Sequence, residues 1–89
     1  MDQKEILLQR VSNDYKVSTD IIKGPNRKSE LVDIRCLIAT VLFVAGHSKS
    51  AIGRFLGNRH HTTIMSLIKR GKKRLDIQLM AEGYLKLLR

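Results

Sequence analysis

From Cys36 to Ala45 the chain reads Cys-Leu-Ile-Ala-Thr-Val-Leu-Phe-Val-Ala, apolar everywhere but Thr40. Set on a helix at about 100° per residue, Leu37, Ile38, Val41, Leu42, Val44 and Ala45 are spread over nearly every side, so no face is reserved for water. Such a helix has to be surrounded, and the rest of the chain must supply its surroundings. The run is about half of the roughly 20 residues that cross a bilayer, which makes it a core element and not a membrane span. Ser29 and Glu30 can open this helix and Gly46 stops it.

Punctuation places the other elements. Ile6, Leu7, Val11 and Tyr15 recur at near-helical spacing and predict a first helix over about 3–14. Val17-Ser18-Thr19-Asp20 then offers a fresh N-cap for one turn carrying Ile21 and Ile22, which Gly24-Pro25 ends. Asn26-Arg27-Lys28 becomes a basic loop. Ser48 caps a further helix with Ala51, Ile52, Phe55 and Leu56 on its apolar face and Lys49, Ser50 and Arg54 outward. Ile77, Met80, Ala81, Tyr84 and Leu88 again have helical spacing, suited to packing on the core or on another molecule. No strand-like alternation or repeat occurs, so the expected fold is all-α: one domain over 1–89, a small helical bundle.

Seventeen Lys and Arg against eight Asp and Glu give a net charge of +9, a field that favours a polyanionic partner. A chain of 89 residues has little room for a conventional enzyme cleft. Met1 is followed by Asp2, Gln3, Lys4 and Glu5, which lack the basic and apolar regions of a secretory leader. Cys36 is the single cysteine, and a reducing cytoplasm is the natural setting for it, as a core thiol. His60 and His61, with His47, raise the question of metal or acid–base chemistry. Neighbours on a helix point about 100° apart, and no carboxylate pair completes a site, so no enzyme, metal or cofactor is expected.

Residues 48–70 carry the most chemistry. They read as two short amphipathic helices meeting at Gly57, a helix-turn-helix extending to about residue 75. On the second helix Ile64, Leu67, Ile68, Gly71 and Leu75 share one side; Thr62, Ser66, Lys69 and Lys73 lie opposite, flanked by Thr63 and Arg70. Short hydroxyls first and long cations later suit a helix that enters the major groove by its N-terminus, reading bases and then meeting phosphates. The angles put His61 on the boundary between faces and tilt His60 toward the apolar one, so His60 is open to base reading or to packing at the junction. Lys69, Arg70, Lys72, Lys73 and Arg74 form the densest charge cluster, and cations there also favour the helix dipole.

Ile52-Gly53-Arg54-Phe55-Leu56-Gly57-Asn58-Arg59-His60-His61-Thr62-Thr63-Ile64 resembles the I-G-x-x-F-G-G-R-D-H-T-T-V signature of the C-terminal DNA-binding domain of the bacterial replication initiator DnaA. A weaker likeness runs over nearly the whole chain, including the basic loop before the long helix and an arginine, Arg35, early in it. The resemblance implies a Trp-repressor-like helical architecture and double-stranded DNA as partner, at origin-type boxes or regulatory sites, alongside other replication-initiation proteins in the cytoplasm. It implies base contacts from His61, Thr62 and Thr63 and a minor-groove contact from Arg27, and His60 beside them is expected to join the base contacts. Phosphate contacts are expected from Lys28, Arg35, Ser48, Lys49, Ser50, Arg54, Arg59, Ser66, Lys69 and Lys73, with Arg35 open to a base edge as well.

The chain departs from that family in three places. His60 stands where the family commonly has Asp, exchanging an acceptor suited to cytosine N4 for an imidazole. Cys36 stands where a Gln often follows the arginine. No G-x-x-x-x-G-K-[ST] phosphate loop occurs, so these residues hold no ATPase module. A different class of reading is a basic protein-interaction module that docks an acidic partner, with the last helix as an apolar docking face. RNA is disfavoured, because two Phe and two Tyr leave no stacking platform once Phe55 enters the core.

Overall fold

The computed structural model describes residues 2–89. Among them lie six helices and no strand: α1 (Gln3–Tyr15), α2 (Thr19–Lys23), α3 (Ser29–Val44), α4 (Lys49–Phe55), α5 (His61–Lys72) and α6 (Leu75–Leu87). The all-α expectation therefore holds. No helix among the described residues is long and apolar enough to cross a membrane.

α3 is the axis of the bundle. Its residues Ile34 to Leu42 are all buried, and α1, α2, α4, α5 and α6 pack around it. Leu7, Leu8 and Val11 of α1, Ile22 of α2, Ile52 of α4, Ile64, Leu67 and Ile68 of α5, and Ile77 and Ala81 of α6 complete one contiguous core. The apolar run ends abruptly. Val44 is exposed, and Gly46 takes φ +106° while the His47 amide returns to the Leu42 carbonyl at 3.0 Å, which closes the helix end.

Two caps lie where the sequence offers one, Ser18 within residues 17–20 and Ser48, and a third, Asp2, joins them. Asp2 accepts from the Lys4 amide, Ser18 from Ile21, and Ser48 from Ala51. α3 differs: Ser29 is its first residue, and the capping position belongs to Lys28, whose side chain makes no capping bond.

Leu75 is also placed otherwise than its spacing predicts. α5 stops at Lys72, and Leu75 opens α6 with 69 % of its surface exposed instead of extending the buried side of α5. The break is held by Arg74, which meets Asp33 of α3 at 2.6 Å and Asp76 of α6 at 2.7 Å. These bonds hold the Asp76 carboxyl below its usual range and keep Arg74 protonated. Arg74 is thereby withdrawn from the basic cluster around it.

Candidate nucleic-acid interface

α4 and α5 form the helix-turn-helix, and backbone contacts too close for side chains set the turn. The Arg59 amide donates to the Gly53 carbonyl at 2.8 Å, and a Cβ on Gly53 would run into the Arg59 carbonyl. Gly57 at φ +82° and Asn58 at φ +59° reverse the chain. A Cβ on Gly57 would strike the Lys23 carbonyl, so the turn presses on the end of α2.

Two arginines weld that turn to the basic loop. Arg59 donates to the Lys23 carbonyl at 3.1 Å, to Gly24 at 2.5 Å and to Leu56. Arg35 donates to Ile22 at 2.7 Å, Asn26 at 2.6 Å, Gly24 at 2.9 Å and Ile21 at 3.1 Å. The expectation of phosphate contacts from these two is corrected. Arg35 is only 3 % exposed with its guanidinium spent on four carbonyls, and half-buried Arg59 is spent on three. A planar fork of donors suits this task, since it can serve several carbonyls at once. Burial lowers the pKa of both, helped by Arg59 for Arg35 and by Arg27 for Arg59, so the cations crowd one another.

The clamped loop carries its own cations outward. Arg27 and Lys28 are exposed, and the Asn26 side chain accepts from the Lys28 amide at 3.0 Å to fix the loop's curvature. A cleft of about 630 Å³ is lined by Arg27 of this loop and by Thr63, Ser66 and Arg70 of α5, with Arg35 and Arg59 also in its wall. Arg70 is a residue that sequence reasoning placed beside the polar face but not among the contacts. Its spacing, four residues after Ser66 and seven after Thr63, was the available signal.

At the head of α5, His60 is neither buried nor packed under the turn. It is the exposed N-cap, with Nδ1 accepting from the Thr62 amide at 3.3 Å and lying 2.8 Å from the Thr62 hydroxyl. The 100° rule fails for the histidine pair because His60 has extended backbone; the His60 and His61 rings stack instead, with centroids 4.3 Å apart. His47 lies elsewhere, its Nε2 3.0 Å from the Gln3 side-chain oxygen. His61, Thr62, Thr63, Ser66, Lys69 and Lys73 are all exposed, and the Ser66 hydroxyl donates to the Thr62 carbonyl at 3.2 Å.

On α4, Ser48, Ser50 and Arg54 are exposed. Ser48 uses its oxygen as a cap, which leaves its hydroxyl proton to donate. Lys49 is half-buried, its ammonium 5.4 Å from the centre of the Phe43 ring, with Lys72 over the same ring at 5.8 Å. Phe55 packs against the core under Lys23.

The family model described as Bacterial dnaA protein helix-turn-helix matches residues 5–70, from the first turn of α1 through most of α5. Searches of curated proteins and of solved structures found no match. The match spans the core helix, the clamped loop and both helices of the motif, which in this family is a double-stranded-DNA-binding element. Having that motif and most of the fold beneath it, the chain belongs to the family of the bacterial DnaA helix-turn-helix domain.

Proposed function

We propose that the chain reads DNA sequence by gripping one sugar–phosphate strand between α5 and the basic loop. α5 lies in the major groove with His60, His61, Thr62 and Thr63 toward base edges. Arg27 enters the neighbouring minor groove from the other side of the strand. The cleft between Arg27 and the Thr63–Ser66–Arg70 edge of α5 is the observation that carries this reading. A phosphate there would sit between the exposed cations Arg27 and Arg70. Because Arg35 and Arg59 tie the loop to the motif, the two groove contacts are preset relative to each other, and little ordering cost is left for binding.

Lys28, Ser48, Lys49, Ser50, Arg54, Lys69 and Lys73 supply the surrounding phosphate contacts, with Lys49 released from Phe43 to do so. The role is binding without catalysis, at replication-origin-type boxes or regulatory sites, where other initiation proteins assemble. Selection from a randomised duplex library at two salt concentrations tests this. An enriched motif retained at higher salt supports base reading, and affinity should fall with a log–log slope of about −0.9 per phosphate neutralised. Failure to bind any duplex at low salt would refute it.

A further inference from the structure

α6 lies beyond the residues that match the family and carries a face that the core leaves uncovered, where Leu79, Gly83 and Leu87 border a groove against Arg10, Asp14 and Tyr15 of α1. Ile77 and Ala81 point into the core, while Leu75, Leu79 and Leu87 stand in solvent, 69, 59 and 39 % exposed. Between the last two, at four residues from each, is Gly83. A Cβ added to Gly83 would meet open space, so no packing within the chain calls for a glycine there. Glycine in a helix interior is a poor choice unless another backbone must come close.

We infer that this face binds a second copy of the same chain through an antiparallel α6–α6 contact crossing at Gly83. A two-fold interface brings the residue on its axis against itself, so one glycine supplies the close approach from both sides. The exposed leucines are placed symmetrically about that point. In an antiparallel pair a residue k places before Gly83 lies level with one k places after it, so Leu79 of one copy lies level with Leu87 of the other, twice. Charge agrees with the same alignment. Glu82 of one copy and Lys86 of the other fall on one flank of the seam, offset by about 3 Å along the axis. Among the described residues neither is held in an ion pair. Each copy thus offers the other a cation for its carboxylate.

The face is small, so the dimer is expected to be weak, and sedimentation equilibrium of the full chain without DNA over roughly 5 to 500 µM reads it. Gly83→Ala should raise the melting temperature and yet weaken association, a pair of opposite signs that a purely structural glycine would not produce. Gly83→Leu should raise the dissociation constant at least about tenfold with the fold retained. Glu82→Lys and Lys86→Glu should each weaken association by about threefold, and the double exchange should restore it. A monomer across the whole range, or a dimer indifferent to Gly83→Leu, would overturn the inference. So would a double exchange that fails to restore association. The measurement contains no DNA, so it stands or falls apart from the proposed base reading.

Discussion

Arg35 and Arg59 donate to the same acceptor, the carbonyl oxygen of Gly24, at 2.9 and 2.5 Å. One guanidinium comes from the core helix and the other from the turn of the helix-turn-helix. The basic loop is thereby registered against both, and Arg27 projects from a rigid mount.

Arg35→Met should destabilise the fold by on the order of 3 kcal/mol, because it strips several carbonyls of their donor at a buried site. Arg27→Ala, at an exposed position, should change stability by no more than about 0.5 kcal/mol while weakening DNA binding. Urea unfolding beside a binding titration separates the two; wild-type stability in Arg35→Met would show that the clamp contributes nothing.

At the turn, Gly53→Ala should cost about 1 to 3 kcal/mol, since the added methyl runs into the Arg59 carbonyl and the backbone has to shift. Thermal melts test this directly, and an unchanged melting temperature would mean that the turn relaxes freely. Duplex binding should weaken alongside, because the same displacement moves the start of α5.

His60 has a capping role that is separable from recognition. His60→Ala should lose about 1 kcal/mol of stability, and His60→Asp should keep most of it, since a carboxylate caps as well. With Nδ1 accepting from the Thr62 amide, a neutral ring carries its proton on Nε2 and presents a donor outward. Library selection should accordingly show a base acceptor such as purine N7 opposite His60, and a shift toward cytosine N4 in His60→Asp. Identical selected motifs from both proteins would remove His60 from base reading.

Thr62→Ala should lose about 1 to 3 kcal/mol of discrimination, mainly at one base pair, whereas Lys73→Ala should weaken all duplexes alike and make the salt slope shallower by about one. Matched and scrambled duplexes at several salt concentrations distinguish the effects. Equal losses on both duplexes for Thr62→Ala would sink the base-reading role.

Acid should loosen the α5–α6 junction. The Asp76 carboxyl is held below its ordinary value of 3.8 first by the hydrogen bond from Arg74, so its contribution is present above that value and is lost as pH falls through the lower, folded one. Melting temperatures measured below about pH 4 should fall less steeply in Asp76→Asn than in the wild type. Parallel curves would show that the pair does not report on folding.

Local signals in the sequence were sufficient for most helix ends. The Val17-Ser18-Thr19-Asp20 stretch, Gly24-Pro25, Gly46 and Ser48 act through bonds to residues a few places away, and their spacing marks the helix ends without singling out Ser18 in the first. The roles of Arg35 and Arg59 are not legible in the sequence, because a guanidinium's charge looks the same whether it faces phosphate or carbonyls. The carbonyls that claim Arg59 belong partly to α2, more than thirty residues earlier. The place of Leu75 is hidden for a similar reason: Lys73-Arg74 contains no breaker, and the break depends on Arg74 reaching Asp33, 41 residues back. Among site residues, the polar face of α5 was legible from its period. The cap made by His60 was not, because histidine is an uncommon residue for that position.

Ile77 and Ala81 fill the core from a helix that begins after the family match has ended. The piece of chain that must be moved as a whole is therefore longer than the piece that carries the family's pattern. A graft of this DNA-reading head onto another scaffold, cut at residue 70, would leave an open seam along α3 and lose the Arg74 tether. The transplant has to include the last helix to arrive folded.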